Sequence, residues 1–482
     1  MITSYFAEFF LSIGLLLILI TGSILRFSLK YNYAILSFKS FTLLILFWVL
    51  LLLQFKFSDY SSLYFVVDSI SSFSKLFMVV SLLICLNYET LNKKKTFEYY
   101  VLVLTSLLGL FLLSSSNDLL SVYLSVELTA FSFYIIVLYL KNSAFSVEAA
   151  LKYFILGALS SSLLVLGISL IYGATGTTNL SYLIVLNLNT YSPFLTRCIE
   201  FSLLIFSCGL LFKVGAAPFH VWIADVYEGA PTFVATIFAI LPKIAVFCLF
   251  IRVILSTNLE FWFYLLSLLA FVSIILGSLQ ALKQVKTKRL LTFSGVSHIG
   301  FALLGLSCRT TEGIYSSILY IIVYMCIAGF IWGFISCVSP NNGRTLYLTD
   351  HLQWVKTNPA LSILAISVIF SIAGIPPLAG FFSKFGIFIA SIQLGLYVPA
   401  LFGLIISSIG VLYYLRFIKI ISFEKVYWKK TVPLKFGHVL FIGLCGFSLS
   451  LFVLYSNLIH LVTQEIILEV SEIGTKALYN TL

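Results

Sequence analysis

Apolar runs of about 20 residues follow one another along nearly the whole chain, and no other feature limits its fold so strongly. A helix rises 1.5 Å per residue, so about 20 residues cross a ~30 Å hydrocarbon core. Within lipid each backbone polar group must be bonded inside its own segment. Windows of this kind predict fourteen helices, at about 5–25, 40–55, 64–87, 99–115, 119–140, 147–172, 198–228, 231–253, 260–282, 289–307, 313–338, 358–390, 396–418 and 435–462. The chain has 482 residues, of which 61% are hydrophobic and 10% charged, and its mean hydropathy is +1.09. Nothing polar is long enough for a separate soluble domain, so the fold class is an all-α polytopic membrane protein.

Two windows are too long. The seventh, 198–228, and the twelfth, 358–390, would overshoot the core, and each carries proline near its middle: Pro218 in one, Pro376 and Pro377 in the other. Proline removes a backbone donor and clashes with the preceding turn. Both windows therefore read as broken helices, which lipid tolerates only where protein or water satisfies the freed carbonyls. Helices 4–8 hold one break and helices 9–13 the other. Five is an odd number, so the second set enters from the opposite side, as in the inverted repeats of transporters. The expected segments are an N-terminal three-helix piece (1–90), a first repeat (99–255), a second (260–420) and a C-terminal helix with tail (434–482).

The 29 lysines and arginines fall mostly in loops after odd-numbered helices, among them Lys93–Lys95, Lys283, Lys286, Lys288, Arg289 and the cluster 416–435. Lys56, Arg197, Arg252, Arg309 and Lys476 are assigned to the other side. Positive residues stay inside, so both termini are expected outside. The net charge of +11 is then a topology signal, suited to anionic lipid headgroups and not to nucleic acid.

Five lysines remain within the apolar windows: Lys75, Lys152, Lys213, Lys243 and Lys384. Glu127 and Asp68 accompany them. A charge at the bilayer centre costs at least ~2.5–3.5 kcal/mol, so such residues point to function. Lys152, eleven residues beyond Lys141, is also placed to snorkel. Asp68 and Lys75, seven apart, also read as bridges to neighbouring helices. Lysine suits proton carriage because desolvation lowers its proton affinity and a nearby carboxylate restores it. Histidine is the side chain whose ordinary titration range lies nearest neutrality, which makes His220, seven residues beyond Lys213, a natural intermediate. His298 reads either as a second one or as a hydrogen-bonded core histidine. Glu148 and Asp225, near helix ends, read as solvated or capping.

The eight cysteines are scattered through apolar sequence without metal-ligand spacing, and there is no haem, iron–sulfur, flavin or nicotinamide fingerprint. No cofactor or metal is expected in this chain. No cleavable signal or basic, Ser-rich presequence is read, so a mitochondrial home implies synthesis within the organelle.

Four stretches carry a resemblance: "SVEAALKYFILGALSSSLLVLGISLIYGATGT", "FKVGAAPFHVWIADVYEGAPTFVATIFAILPKIAVF", "VKTKRLLTFSGVSHIGF" and "GIPPLAGFFSKFGIFIASI". They closely resemble the subunit 2 family of respiratory complex I, the proton-pumping NADH:ubiquinone oxidoreductase, over about residues 60–420. "DVYEGAP" favours subunit 2 over subunits 4 and 5, as does lysine at 384 over subunit 4. The resemblance implies fourteen transmembrane helices in two inverted repeats and descent from cation/proton antiporters. It makes Glu127 the acidic partner, Lys213 the central lysine, Lys243 the connecting lysine and Lys384 the outer-channel lysine, with Lys152 and His220 lining the inward half. FMN, iron–sulfur clusters and ubiquinone are expected in other subunits. The implied partners are the other membrane-arm subunits, the antiporter-like ones included, and lipids such as cardiolipin. The implied home is the mitochondrial inner membrane, with a bacterial plasma membrane as the alternative. The alternative function is a subunit of a multi-chain sodium/proton antiporter; a solute symporter and a passive anchor are weaker rivals.

Overall fold

The computed structural model describes residues 5–26, 31–54, 60–88, 96–139, 143–185, 193–257, 259–338, 347–351 and 358–423, with a few positions between 442 and 452. Lys56, Lys93–Lys95, Lys476 and most of the 434–482 segment lie outside them, and with that segment the expected helix at 435–462.

Apart from a two-residue β-ladder pairing Tyr60–Ser61 (β1) with Val66–Val67 (β2), the regular structure of the described residues is helical. In chain order the helices are α1 (Phe6–Arg26), α2 (Tyr31–Gln54), α3 (Ser69–Tyr88), α4 (Phe97–Ser115), α5 (Leu119–Val137), α6 (Ala144–Thr175), α7 (Leu180–Val185) and α8 (Pro193–Val214). They continue as α9 (Val221–Gly229), α10 (Thr232–Thr257), α11 (Phe261–Leu282), α12 (Thr287–Ser307), α13 (Thr311–Val338), α14 (Pro359–Ala373), α15 (Ala379–Gln393) and α16 (Tyr397–Ser422). Every expected pass other than 435–462 falls on one of them or, for the two long windows, on two, and among the described residues 11 helices are long and apolar enough to cross a membrane whole. The short α7 was not expected. It lies in the loop before α8, which itself starts at Pro193, five residues earlier than its apolar window.

Both long windows are broken, but glycine ends each first half before proline is reached. α8 stops at Val214 and Gly215 takes φ +80°; α14 stops at Ala373 and Gly374 takes φ +87°. Left-handed backbone is open to glycine and closes a helix by turning its last carbonyls toward later N–H groups. The Gly374 N–H accordingly reaches the carbonyls of Phe370 and Ser371. The prolines that follow keep the helix from restarting at once, so α9 begins only at Val221 and α15 at Ala379.

The described helices gather into two compact units. The first takes residues up to Lys213 together with 241–257; the second takes 214–240 and residues from 259 on. These units are drawn by packing and do not follow the bounds of the expected 99–255 and 260–420 segments. Burial differs greatly between helices. α10 and α12 bury nearly all of their apolar windows, while α1, α6 and α16 leave about two thirds of theirs exposed. Leu16, Ile20, Phe154, Ile155, Leu401 and Leu412 all face outward, as the surface of a chain dissolved in lipid requires. Inside the second unit α11 and α12 pack backbone to backbone: a Cβ on Gly277 would lie 2.6 Å from the Ser297 nitrogen. Small residues at such a contact let helices approach where no hydrophobic driving force is available.

Candidate functional site

The first break sets the central lysine at a helix end. Lys213 lies in the last turn of α8, one residue before its final Val214. The last carbonyls of a helix have no intrahelical partner and together carry about half a negative charge. Lys213 therefore meets a fixed negative field without a salt bridge. Glu127, on α5, is within electrostatic reach of it. The two do not close into an ion pair: the Lys213 Nζ and the Glu127 Oε1 are buried, and neither has a hydrogen-bond partner among the described residues. Tyr134 and Tyr153, packed edge to face at 4.9 Å, share the field of Glu127.

His220 belongs to the second unit and stands at the N-terminus of α9. Its Nε2 is 3.0 Å from the Gln280 Oε1. That oxygen can only accept, which fixes the Nε2–H tautomer and leaves the lone pair on Nδ1. Nδ1 is buried and has no partner among the described residues.

The second break repeats the lysine arrangement by another route. Lys384 starts from α15 and folds back, so that its Nζ donates to the carbonyls of Ile372 (3.0 Å) and Ala373 (3.2 Å), the last two of α14. It also lies 5.5 Å from the centre of the Phe301 ring, a favourable cation–π distance. Gly374 leaves room for the lysine stem: a Cβ there would lie 3.1 Å from Nζ. His298, on α12, is held between two hydroxyls, with Nδ1 2.6 Å from Tyr320 and Nε2 3.0 Å from Tyr414.

Lys243 is buried on α10, in the unit that holds Glu127 and Lys213. Pro242 precedes it inside the helix, and the missing N–H frees one carbonyl a turn earlier. The sequence reading had passed over this proline. Lys152 does not join the buried group. It lies on the outer face of α6, paired with Glu148 at 2.8 Å, with the two side chains 43% and 61% exposed.

Three polar contacts were not anticipated. Glu8, unremarked in the sequence, is the partner of Lys75 at 2.5 Å, and both side chains are almost fully buried. Arg252 and Lys288 had been assigned to loops. Arg252 instead lies within α10, donates to Asp68 at 2.7 Å and reaches the carbonyls of Ser114 and Ser116 where α4 ends. Lys288 is buried in the first turn of α12, with its Nζ 2.7 Å from the Ala230 carbonyl at the end of α9. Composition around a cation cannot reveal a helix end that arrives from elsewhere in the chain. Asp68 and Lys75 do bridge to neighbours, as one reading allowed. Asp225 and Glu228, from α9, pair with Arg289, and Glu228 also with Lys286. Among the described residues no cluster of histidine, cysteine and acidic groups could hold a metal.

What this arrangement can do chemically is hold and release protons. A buried unpaired polar atom costs about 1–3 kcal/mol and is kept where water or a moving proton supplies its partner. Here a carboxylate oxygen, an ammonium and an imidazole nitrogen are all in that condition.

Residues 116–410 match the family model described as NADH:quinone oxidoreductase/Mrp antiporter, transmembrane. NADH-ubiquinone oxidoreductase chain 2 of Marchantia polymorpha is 38% identical over 412 residues, 84% of each chain. NADH-quinone oxidoreductase subunit N of Pelagibacter ubique is 38% identical over 75% of this chain and 77% of that one. Among solved structures, a chain of respiratory complex I from Thermus thermophilus superposes with a TM-score of 0.81 at 27% identity, covering 94% of this chain and 98% of that one.

Proposed function

The chain belongs to the NADH:quinone oxidoreductase/Mrp antiporter membrane family, and from that premise we propose that it is a proton-translocating membrane-arm subunit of NADH:ubiquinone oxidoreductase. It is a multi-pass membrane protein, a component of a translocating enzyme, with the redox groups (FMN, iron–sulfur clusters and ubiquinone) in other subunits. Its partners are the other membrane-arm subunits, and anionic lipids such as cardiolipin contact its basic loops. Its home is the mitochondrial inner membrane, with both termini toward the intermembrane space. Both curated relatives described above are named as subunits of the oxidoreductase, which favours this reading over a sodium/proton antiporter.

The observation that carries the reading is the open Glu127–Lys213 pair at the end of α8, where the Lys213 Nζ and the Glu127 Oε1 are buried without a hydrogen-bond partner among the described residues. Quinone reduction elsewhere perturbs Glu127, the pair weakens, and Lys213 gives up its proton to Lys243; Lys384 serves the outer side. His220, with its free Nδ1, reloads Lys213 from the inner side. Moving one proton against the membrane potential costs ~2.3 kcal/mol per 100 mV, and each unit of pKa swing supplies ~1.36 kcal/mol. A lysine that swings by a few units therefore has enough range.

Lys213→Met keeps the length and apolar stem of the side chain and removes its proton. In the assembled complex, reconstituted in vesicles, we expect quinone reduction and proton pumping to fall together. Full pumping by this variant would leave Lys213 a buried structural charge and end the reading.

A further inference from the structure

We propose that Tyr320, His298 and Tyr414 form a proton wire through the second unit, so that two tyrosine hydroxyls are transfer groups alongside the histidine. The inference rests on the proton-translocating function proposed above and assigns further residues to it.

The geometry sets this histidine apart from His220. A carbonyl partner, such as Gln280 offers His220, can only accept and fixes one tautomer. His298 has a hydroxyl on each side, Tyr320 from α13 at 2.6 Å and Tyr414 from α16 at 3.0 Å. A hydroxyl both donates and accepts. With Nδ1–H the ring donates to Tyr320 and accepts from Tyr414; with Nε2–H the roles reverse. Both tautomers make the same number of hydrogen bonds, and a proton passing along the chain converts one into the other. The series extends beyond the three groups: the Tyr413 ring packs against that of Tyr414 at 4.4 Å, Ser294 neighbours Tyr414, and Ser297 neighbours Tyr413. His298, Tyr320, Tyr413 and Tyr414 are each no more than 6% exposed, so bulk water does not short-circuit the path. At the other end Phe301 packs both against the Tyr320 ring, at 6.1 Å, and under the Lys384 ammonium. One aromatic ring thus links the wire to the outer lysine.

The transfer balances at each atom. A proton arriving at the Tyr320 oxygen releases that hydroxyl's own proton to Nδ1. The proton on Nε2 then leaves for the Tyr414 oxygen, whose own proton passes to Tyr413 or Ser294. Each oxygen and the ring gain one proton and lose one; the ring is left as the Nδ1–H tautomer, so resetting the series takes its return to the Nε2–H tautomer as well as rotation of the hydroxyls.

Tyr320→Phe and Tyr414→Phe test this, because each removes one oxygen and keeps the packed ring. In the assembled complex in vesicles, each is expected to slow coupled proton pumping about a hundredfold or more, the scale of a lost proton-transfer group. Thermal stability should be unchanged. The double variant should be no slower than the slower single one, because the two groups act in series; independent packing defects would multiply. Wild-type pumping by either variant, or multiplied losses in the double, would overturn the wire, and each single substitution decides the matter if the other fails to assemble. Lys213→Met is run beside them. If it pumps normally, the function proposed above has failed; if it is inactive while both phenylalanine variants pump, only the wire has failed.

Discussion

Lys288, Lys384 and Arg252 solve one physical problem in one way. Each cation is taken out of water and set against the last carbonyls of a helix that is not its own: α9 at Ala230, α14 at Ile372 and Ala373, α4 at Ser114 and Ser116. Those carbonyls lack intrahelical partners and carry a partial negative charge. The ammonium groups of Lys288 and Lys384 are solvated there without a full counter-ion in contact, so losing the proton strands no carboxylate; Arg252 differs in that it also pairs with the Asp68 carboxylate at 2.7 Å. Lys75 is the contrast. Its partner Glu8 is a full charge, and both are sealed from solvent. Removing one member of a buried pair typically costs ~3–5 kcal/mol, because the other is left uncompensated. Lys75→Met should therefore lower the melting temperature of the complex clearly. Adding Glu8→Leu should restore most of the loss, a coupling that a double-mutant cycle reads directly. Two losses that simply add would show that the pair is not energetically joined.

At the scale of the element, the breaks decide what the lysines can do. Prolines 218, 376 and 377 mark the breaks in the sequence, yet the helices end at Gly215 and Gly374, where φ is positive. Leaving the right-handed region costs a residue with a Cβ about 1–2 kcal/mol. A Cβ on Gly215 would also meet the Ile223 side chain at 1.7 Å. Gly215→Ala should therefore disturb the end of α8, and with it Lys213, more than Pro218→Ala does. The expected order of coupled pumping rates is wild type, then Pro218→Ala, then Gly215→Ala; the reverse order of the two variants would return the break to the proline. The breaks could be read from apolar length and proline because no unbroken helix of that length fits a membrane. Their exact ends could not, because glycine alone does not announce its φ.

At the scale of the whole molecule, the ion-pair network on α9 and α12 gives a pH signature. Burial acts to raise the Glu228 carboxyl, but hydrogen bonds and charges from Lys286 and Arg289 more than offset it and hold the group below the ordinary 4.5. A lowered native value means that the stabilisation is complete above pH ~4.5 and fades as the pH falls through that value. Lys286 and Arg289 are about a third exposed, so each pair is worth ~1 kcal/mol or less and is weakened by salt. Melting of the solubilised complex between pH 5.5 and 3.5 should be steeper for the parent than for Glu228→Gln. Equal slopes would remove Glu228 from the acid limb.

Membrane class, nearly every helix and both breaks follow from the sequence, because each depends on local length, apolarity and backbone chemistry. Lys213, Lys243 and Lys384 could be picked out for the same reason: a cation far from any loop is costly wherever the chain goes. Pairing is another matter. That Lys75 meets Glu8, that Arg252 and Lys288 leave the loops for helix ends, that Lys152 faces outward beside Glu148, and that His298 rests between two tyrosines were all decided by tertiary structure. Each such contact but Lys152–Glu148 joins one helix to another, and the apolar pattern that builds a helix does not say which neighbour it will face.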